Sequence, residues 1–132
     1  MKTLIVYYSK TGNTRKVAQK VQAALSCDLD EIHFNQKAHS VGSALDPENY
    51  DNIILMCPIW AFRLPEPMAI YLRQHKANIK HYRLAVTCGG MGLRGCISSC
   101  KKILTSPPEA AVKIRAKSVH NDSYSIAEIV AK

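Results

Sequence analysis

The sequence predicts an α/β fold, one doubly wound parallel sheet with helices on both faces. Continuous apolar runs at Leu4–Tyr8, Ile53–Cys57 and Leu84–Thr87 read as strands, and such runs suit central parallel strands covered on both faces. Helical periodicity fills the segments between them, so strands and helices alternate along the chain. No linker or internal repeat interrupts the alternation, and 132 residues, 47% of them hydrophobic, suit a single domain spanning 1–132.

Each element has a local reason. Residues 3–8 form the first strand. Residues 13–25 form an amphipathic helix, with Val17, Val21, Ala24 and Leu25 on one stripe and Arg15, Lys16, Gln19, Lys20 and Gln22 polar. Residues 27–34 alternate weakly through Leu29, Ile32 and Phe34 and read as a second strand. Residues 35–49 are polar and aperiodic, a loop with room for one short helical turn. The run at 53–57 is the third strand, which Pro58 stops. Residues 66–75 are helical, with Pro65 and Pro67 near the start, where proline is tolerated. Residues 84–87 are the fourth strand, and 88–92 a glycine-rich turn. A helix over 95–104 ends at Ser106-Pro107-Pro108. Residues 110–119 read as a fifth strand with Lys113, Arg115 and Lys117 on one wet face, which suits the sheet edge. Residues 123–132 close the chain as a short helix.

Composition excludes several classes. No apolar stretch reaches the roughly 18 residues of a membrane span, and the strand pattern beginning just after Met1 leaves no room for a signal peptide. The five cysteines lack paired spacing and read as reduced thiols, which places the protein in the cytoplasm. A net charge of +8 permits an anionic partner. The basic residues are dispersed and carry no interleaved aromatics, so nucleic acid is not the expected ligand. The five histidines show no ligand spacing, and no metal site is expected.

Chemistry concentrates in three loops at strand carboxyl ends, 9–14, 58–64 and 88–94, where open parallel sheets bind ligands. The first is Ser9-Lys10-Thr11-Gly12-Asn13-Thr14, running from a strand into a helix. Gly12 permits a sharp turn and close backbone approach. The unpaired N–H groups of the helix start and the neighbouring hydroxyls offer many donors to one phosphate. The competing account is an ordinary helix N-cap built from Ser, Thr and Asn. The loop matches neither the ATP-type P-loop nor the Gly-x-Gly-x-x-Gly dinucleotide turn.

Taken together, the three loops resemble those of flavodoxin-like FMN-binding proteins, over nearly the whole chain. Ser9 to Thr14 is similar to the family's phosphate loop, Ser/Thr-x-Thr-Gly-Asn-Thr. Tyr50-Asp51-x-Ile-Ile-Leu followed by Pro58-Ile59-Trp60 is similar to its third strand and first flavin-flanking loop, and Thr87-Cys88-Gly89-Gly90 to the second. The resemblance implies a five-stranded sheet of order 2-1-3-4-5 with FMN at the strand ends. It implies that Ser9, Lys10, Thr11, Gly12, Asn13 and Thr14 border the phosphate. Trp60 would stack on the isoalloxazine, with Pro58, Ile59, Ala61 and Phe62 on the same rim, and Cys88, Gly89 and Gly90 would face the pyrimidine side. The implied function is electron transfer or FMN-dependent oxidoreduction, supplied by a redox partner protein or a pyridine nucleotide, in a monomer or homodimer. This chain departs from electron-carrying flavodoxins in being basic near the flavin (Arg63, Arg94) and in having no glycine within 58–64. Cations there would stabilise an anionic flavin and raise its potential.

Two alternatives stand beside this. Cys88-x5-Arg94 matches the minimal spacing of a cysteine phosphatase, although Gly95 follows where Ser or Thr is usual. A flavin-free interaction module on the same fold is the other. Cys96 and Cys100, four apart on one helix, read as packing thiols.

Overall fold

The computed structural model describes residues 2–130. In chain order the elements are β1 (Thr3–Tyr7), α1 (Asn13–Leu25), β2 (Asp28–Glu31), β3 (His33–Asn35), β4 (Ser40–Gly42), β5 (Asn52–Pro58), α2 (Glu66–His75), β6 (Tyr82–Cys88), α3 (Leu93–Leu104), β7 (Ala111–Arg115), α4 (Ala116–His120) and α5 (Ala127–Val130). Five of the strands make one sheet, ordered β2-β1-β5-β6-β7, and every neighbouring pair in it is parallel. Counted within that sheet, the order is the expected 2-1-3-4-5. The chain leaves β1 for β2 on one side and returns to β5 on the other, so the order reverses between β1 and β5.

The continuous apolar runs are explained by two cores. Leu4, Val6, Ile53, Leu55, Leu84 and Val86 pack on one face with Met68, Tyr71 and Leu72 of α2 and Cys96, Cys100 and Leu104 of α3. Ile5, Tyr7, Ile54, Met56, Ala85 and Ile114 pack on the other with Val17, Ala18 and Val21 of α1, Val119 of α4 and Ile129 of α5. Each large side chain so buried contributes about 1.5–3 kcal/mol. The strands with both faces covered are therefore the ones that read as unbroken apolar runs.

Four expectations are corrected. The strand expected over 27–34 divides: Ile32 donates its N–H to the Tyr7 carbonyl at 2.8 Å and is buried, after which the chain leaves the sheet. The segment expected to be loop contains β4, which pairs antiparallel with β3 in a separate two-stranded hairpin, besides a 3-10 turn at Pro47–Asn49. Buried Asp30 organises this region, accepting the N–H groups of Ala44 and Leu45 at 3.0 and 2.9 Å. The strand expected over 110–119 stops at Arg115, and Lys117 sits on α4 instead of sharing a strand face with Lys113 and Arg115. The closing helix covers Ala127–Val130, and residues 131–132 lie outside the described part. The fifth sheet strand, β7, does occupy the edge.

Candidate functional site

The loops after β1, β5 and β6 meet at the reversal point. The Tyr8 N–H bonds the Met56 carbonyl at 3.0 Å, and the Ile59 N–H bonds the Thr87 carbonyl at 3.1 Å, so the strand ladder carries each chain into its loop. In the first loop Gly12 has φ 97° and stands as the N-cap of α1, with no side-chain cap. The capping side chain is therefore not at the N-cap position but at Ser9, three residues earlier. The Ser9 hydroxyl instead folds back, accepting the N–H groups of Gly12 at 3.1 Å and Arg15 at 3.3 Å. Among the described residues, no hydrogen bond engages the backbone N–H groups of Lys10, Thr11, Asn13 or Thr14. Successive free N–H groups at a helix start form an anion-binding nest. The Thr14 side chain, only 2% exposed, is held by the Thr87 hydroxyl at 2.8 Å, which locks the start of α1 to β6.

The second loop is a tight hairpin. Trp60 and Arg63 exchange two backbone hydrogen bonds of 3.0 Å, and the two residues between them, Ala61 (φ 50°) and Phe62 (φ 63°), are both left-handed. Two-residue turns with positive φ at both positions usually carry Asn-Gly. Here each residue costs about 1–2 kcal/mol. Gly92 in the third loop and Gly95 in α3 hold this turn in place. A Cβ on Gly92 would lie 2.7 Å from Ile59 Cγ2 and 3.1 Å from the Phe62 Cα. A Cβ on Gly95 would lie 1.7 Å from the Phe62 carbonyl oxygen, so only glycine admits the turn against α3.

Trp60 draws the first two loops together. Its ring receives the edge of Tyr8 (centroids 5.6 Å apart, planes at 89°), and the Lys10 ammonium stands 5.2 Å from its centroid. Desolvation raises the Tyr8 phenol above its ordinary pKa. In the third loop the Lys113 ammonium donates to the Gly90 carbonyl at 2.9 Å. Segments 8–14, 58–65 and 88–104 contain no Asp or Glu, while Lys10, Arg63 and Arg94 are exposed. The sequence singled out Ser9 to Thr14, Pro58 to Phe62 and Cys88 to Gly90, and the structure brings these segments to one end of the sheet. Tyr8, Gly95 and Lys113 were missed as site residues, whereas Thr87 and Gly92 lay within the segments already read as the second flanking loop and its glycine-rich turn. Only Gly95 left a signal, a glycine inside a helical pattern without a local reason.

Cys88 is buried at the end of β6. Cys57, Cys96 and Cys100 are wholly buried in the same core. Burial pushes the thiols of Cys96 and Cys100 up to about 12, which suits packing residues. Among the described residues no group of His, Cys, Asp or Glu has metal-site geometry, and no helix is long and apolar enough to cross a membrane. A cavity of about 700 Å³ lies at the opposite end of the sheet, beside Asp51, His81, Arg83 and Glu109. Its polar groups largely satisfy one another or nearby backbone: His81 meets Glu109 at 3.1 Å, Arg83 donates to the Ile129 carbonyl, and Asp51 accepts the Lys2 N–H. The unengaged donors and the strained turn make the β1/β5 end the candidate site.

A five-stranded doubly wound parallel sheet with free backbone N–H groups and a tryptophan-bearing loop at its reversal point places the chain in the open-sheet α/β class. The chain belongs to the flavodoxin family: the family described as flavodoxin domain matches residues 4–123. Among curated proteins none matches its sequence. Solved structures share the fold at low identity. A flavoprotein from Lactobacillus acidophilus NCFM, crystallised in complex with FMN, is 21% identical with a TM-score of 0.75, covering 93% of this chain and 99% of that one. The NMR structure of the apo-form of the flavoprotein from that organism has a TM-score of 0.70 at 21% identity, covering 93% and 97%. A flavodoxin from the domain Archaea is 16% identical with a TM-score of 0.59, covering all of both chains.

Proposed function

We propose that this chain is an FMN-binding redox protein, acting in electron transfer or FMN-dependent oxidoreduction with electrons from a redox partner protein or a pyridine nucleotide. The observation that carries the proposal is the run of unengaged N–H groups at Lys10, Thr11, Asn13 and Thr14 beside the Lys10–Trp60 contact. An anion nest adjoining an aromatic ring fits a ligand with a phosphate at one end and a planar ring at the other. The family and the FMN bound to the Lactobacillus acidophilus relative support the same ligand.

In this proposal residues Ser9 to Thr14 hold the phosphate through backbone N–H groups, with Ser9 fixing the loop's shape and Thr14 its anchorage. Trp60 stacks on the ring, and Pro58, Ile59, Ala61 and Phe62 exclude water from that side. Cys88, Gly89 and Gly90 present backbone groups to the polar edge of the ring. Bound FMN supplies reversible acceptance of electrons. Lys10, Arg63 and Arg94, with no carboxylate among these loops, favour the anion and stabilise negative charge added to it. The free thiols of all five cysteines agree with a reducing, cytoplasmic setting.

The test is reconstitution. After incubation with FMN and gel filtration, the protein should retain flavin absorbance, and Trp60 fluorescence should fall. Absence of both would refute the proposal. A redox titration of the loaded protein then separates stepwise one-electron reduction from a single two-electron step.

A further inference from the structure

The rim of this site also carries large apolar side chains that stand out into solvent. The large hydrophobic side chains exposed among the described residues are Phe62, 67% accessible, and Met91, 77% accessible. They rise from adjoining backbone, because the Phe62 Cα lies 3.1 Å from where a Cβ on Gly92 would sit, next to Met91. One rigid mount therefore presents both. Arg63 follows Phe62 and Arg94 lies three residues after Met91, both exposed, while Lys10 stands against Trp60 and Lys113 against the Gly90 carbonyl.

Of the acidic residues nearby, Glu31 is ion-paired with Arg15 at 2.6 Å, and Glu66 is hydrogen-bonded to the His39 ring at 2.7 Å. Other carboxylates are engaged elsewhere, Asp28 with Tyr50, Asp51 with Lys2, Glu109 with His81 and Asp122 with Lys20. An apolar centre flanked by exposed cations in the same loops has the anatomy of a protein interface, where Phe, Met and Arg are enriched and charge sets the partner.

We infer that Phe62 and Met91, with Lys10, Arg63, Arg94 and Lys113 at the same end of the sheet, dock an acidic redox protein whose carboxylates surround a shallow apolar contact. Its redox meaning rests on the FMN proposal. The docking does not, since the side chains and the glycine seat that mount them belong to the chain itself. Single-stranded nucleic acids stack successive bases on several aromatic rings along a basic groove, whereas one ring, Phe62, and one thioether, Met91, form the centre here.

The experiment measures binding to two probe proteins, a two-iron ferredoxin as the acidic probe and cytochrome c as the basic one. It uses FMN-free and FMN-treated protein, by isothermal titration at low and high salt. The expected result is binding of ferredoxin alone, weakened at least about tenfold from 20 to 300 mM salt. Arg63→Glu with Arg94→Glu should abolish it. Phe62→Ser with Met91→Ser should weaken it about fivefold or more while leaving its salt dependence unchanged. Ferredoxin binding by a protein that fails to take up FMN would sustain the docking surface and sink the cofactor. FMN uptake without salt-dependent ferredoxin binding would sink the docking surface and keep the cofactor. Indifference to Phe62→Ser with Met91→Ser, or tighter binding to a DNA duplex or to phosphatidylserine vesicles, would also overturn it.

Discussion

Gly95→Ala isolates the contact that shapes the second loop. The new methyl would begin 1.7 Å from the Phe62 carbonyl oxygen and 2.9 Å from its carbon. An ordinary C···O contact is about 3.3 Å, so the turn must retreat by roughly 1.6 Å. Helix α3 is anchored in the core through Cys96, Cys100 and Leu104, whereas Ala61, Phe62 and Arg63 are exposed, so the loop yields and the helix does not. Retreat endangers the two Trp60–Arg63 hydrogen bonds, about 1 kcal/mol each. It also releases part of the left-handed strain at Ala61 and Phe62, about 1–2 kcal/mol each, and alanine improves the helix by up to about 1 kcal/mol. These nearly cancel, so the unfolding free energy should change by less than about 2 kcal/mol. Trp60, one residue before the turn, moves with it. FMN affinity should therefore fall about 10- to 100-fold, or about 1.4–2.8 kcal/mol. Thermal unfolding by circular dichroism and FMN titration by fluorescence read the two effects separately. A variant that melts like the wild type and binds FMN within twofold would refute the claim that Gly95 positions the loop.

Phe62→Gly should stabilise the turn by about 1 kcal/mol, since φ 63° suits glycine, and a lower melting temperature would contradict the strain assigned there. Thr14→Val should cost about 1–3 kcal/mol in urea denaturation by leaving the buried Thr87 hydroxyl without its partner, and adding Thr87→Val should recover part of the loss. Stability should decline as pH rises from about 9 toward about 12. Unfolded cysteines lose their protons near 9, while Cys96 and Cys100 keep theirs until about 12, so the unfolded chain binds fewer protons across that window. Cys96→Ala with Cys100→Ala should flatten the decline, and an unchanged pH profile in that variant would contradict the assignment.

What the sequence made legible was contiguous. Leu4 to Tyr8, Gly12 and the start of α1 follow one another along the chain, so a strand, a nest and a helix could be read without knowing any distant neighbour. The central strands were legible because burial on both faces leaves no alternation to confuse. The segment after Asp30 was not, because its shape depends on a buried carboxylate gripping Ala44 and Leu45, some fourteen residues away. The end of β7 was misread because Lys117 continues an alternation that the backbone abandons for α4.

The site divides along the same line. Residues 58–64 contain no glycine, which from sequence suggests a loop without left-handed residues. Yet Ala61 and Phe62 both adopt that conformation, and the glycines that make it tenable are Gly92 and Gly95, on another element about thirty residues later. Conformational freedom is spent at Gly92, where φ is 117°, whereas at Gly95 what matters is the space left by a missing side chain. A turn held by steric fit from outside is less free to rearrange than one that contains its own glycine. If it binds flavin, this chain should therefore tune it mainly through fixed charge and a rigid stacking surface, and the potential of the loaded protein should respond more to Arg63→Gln and Arg94→Gln than to Phe62→Gly.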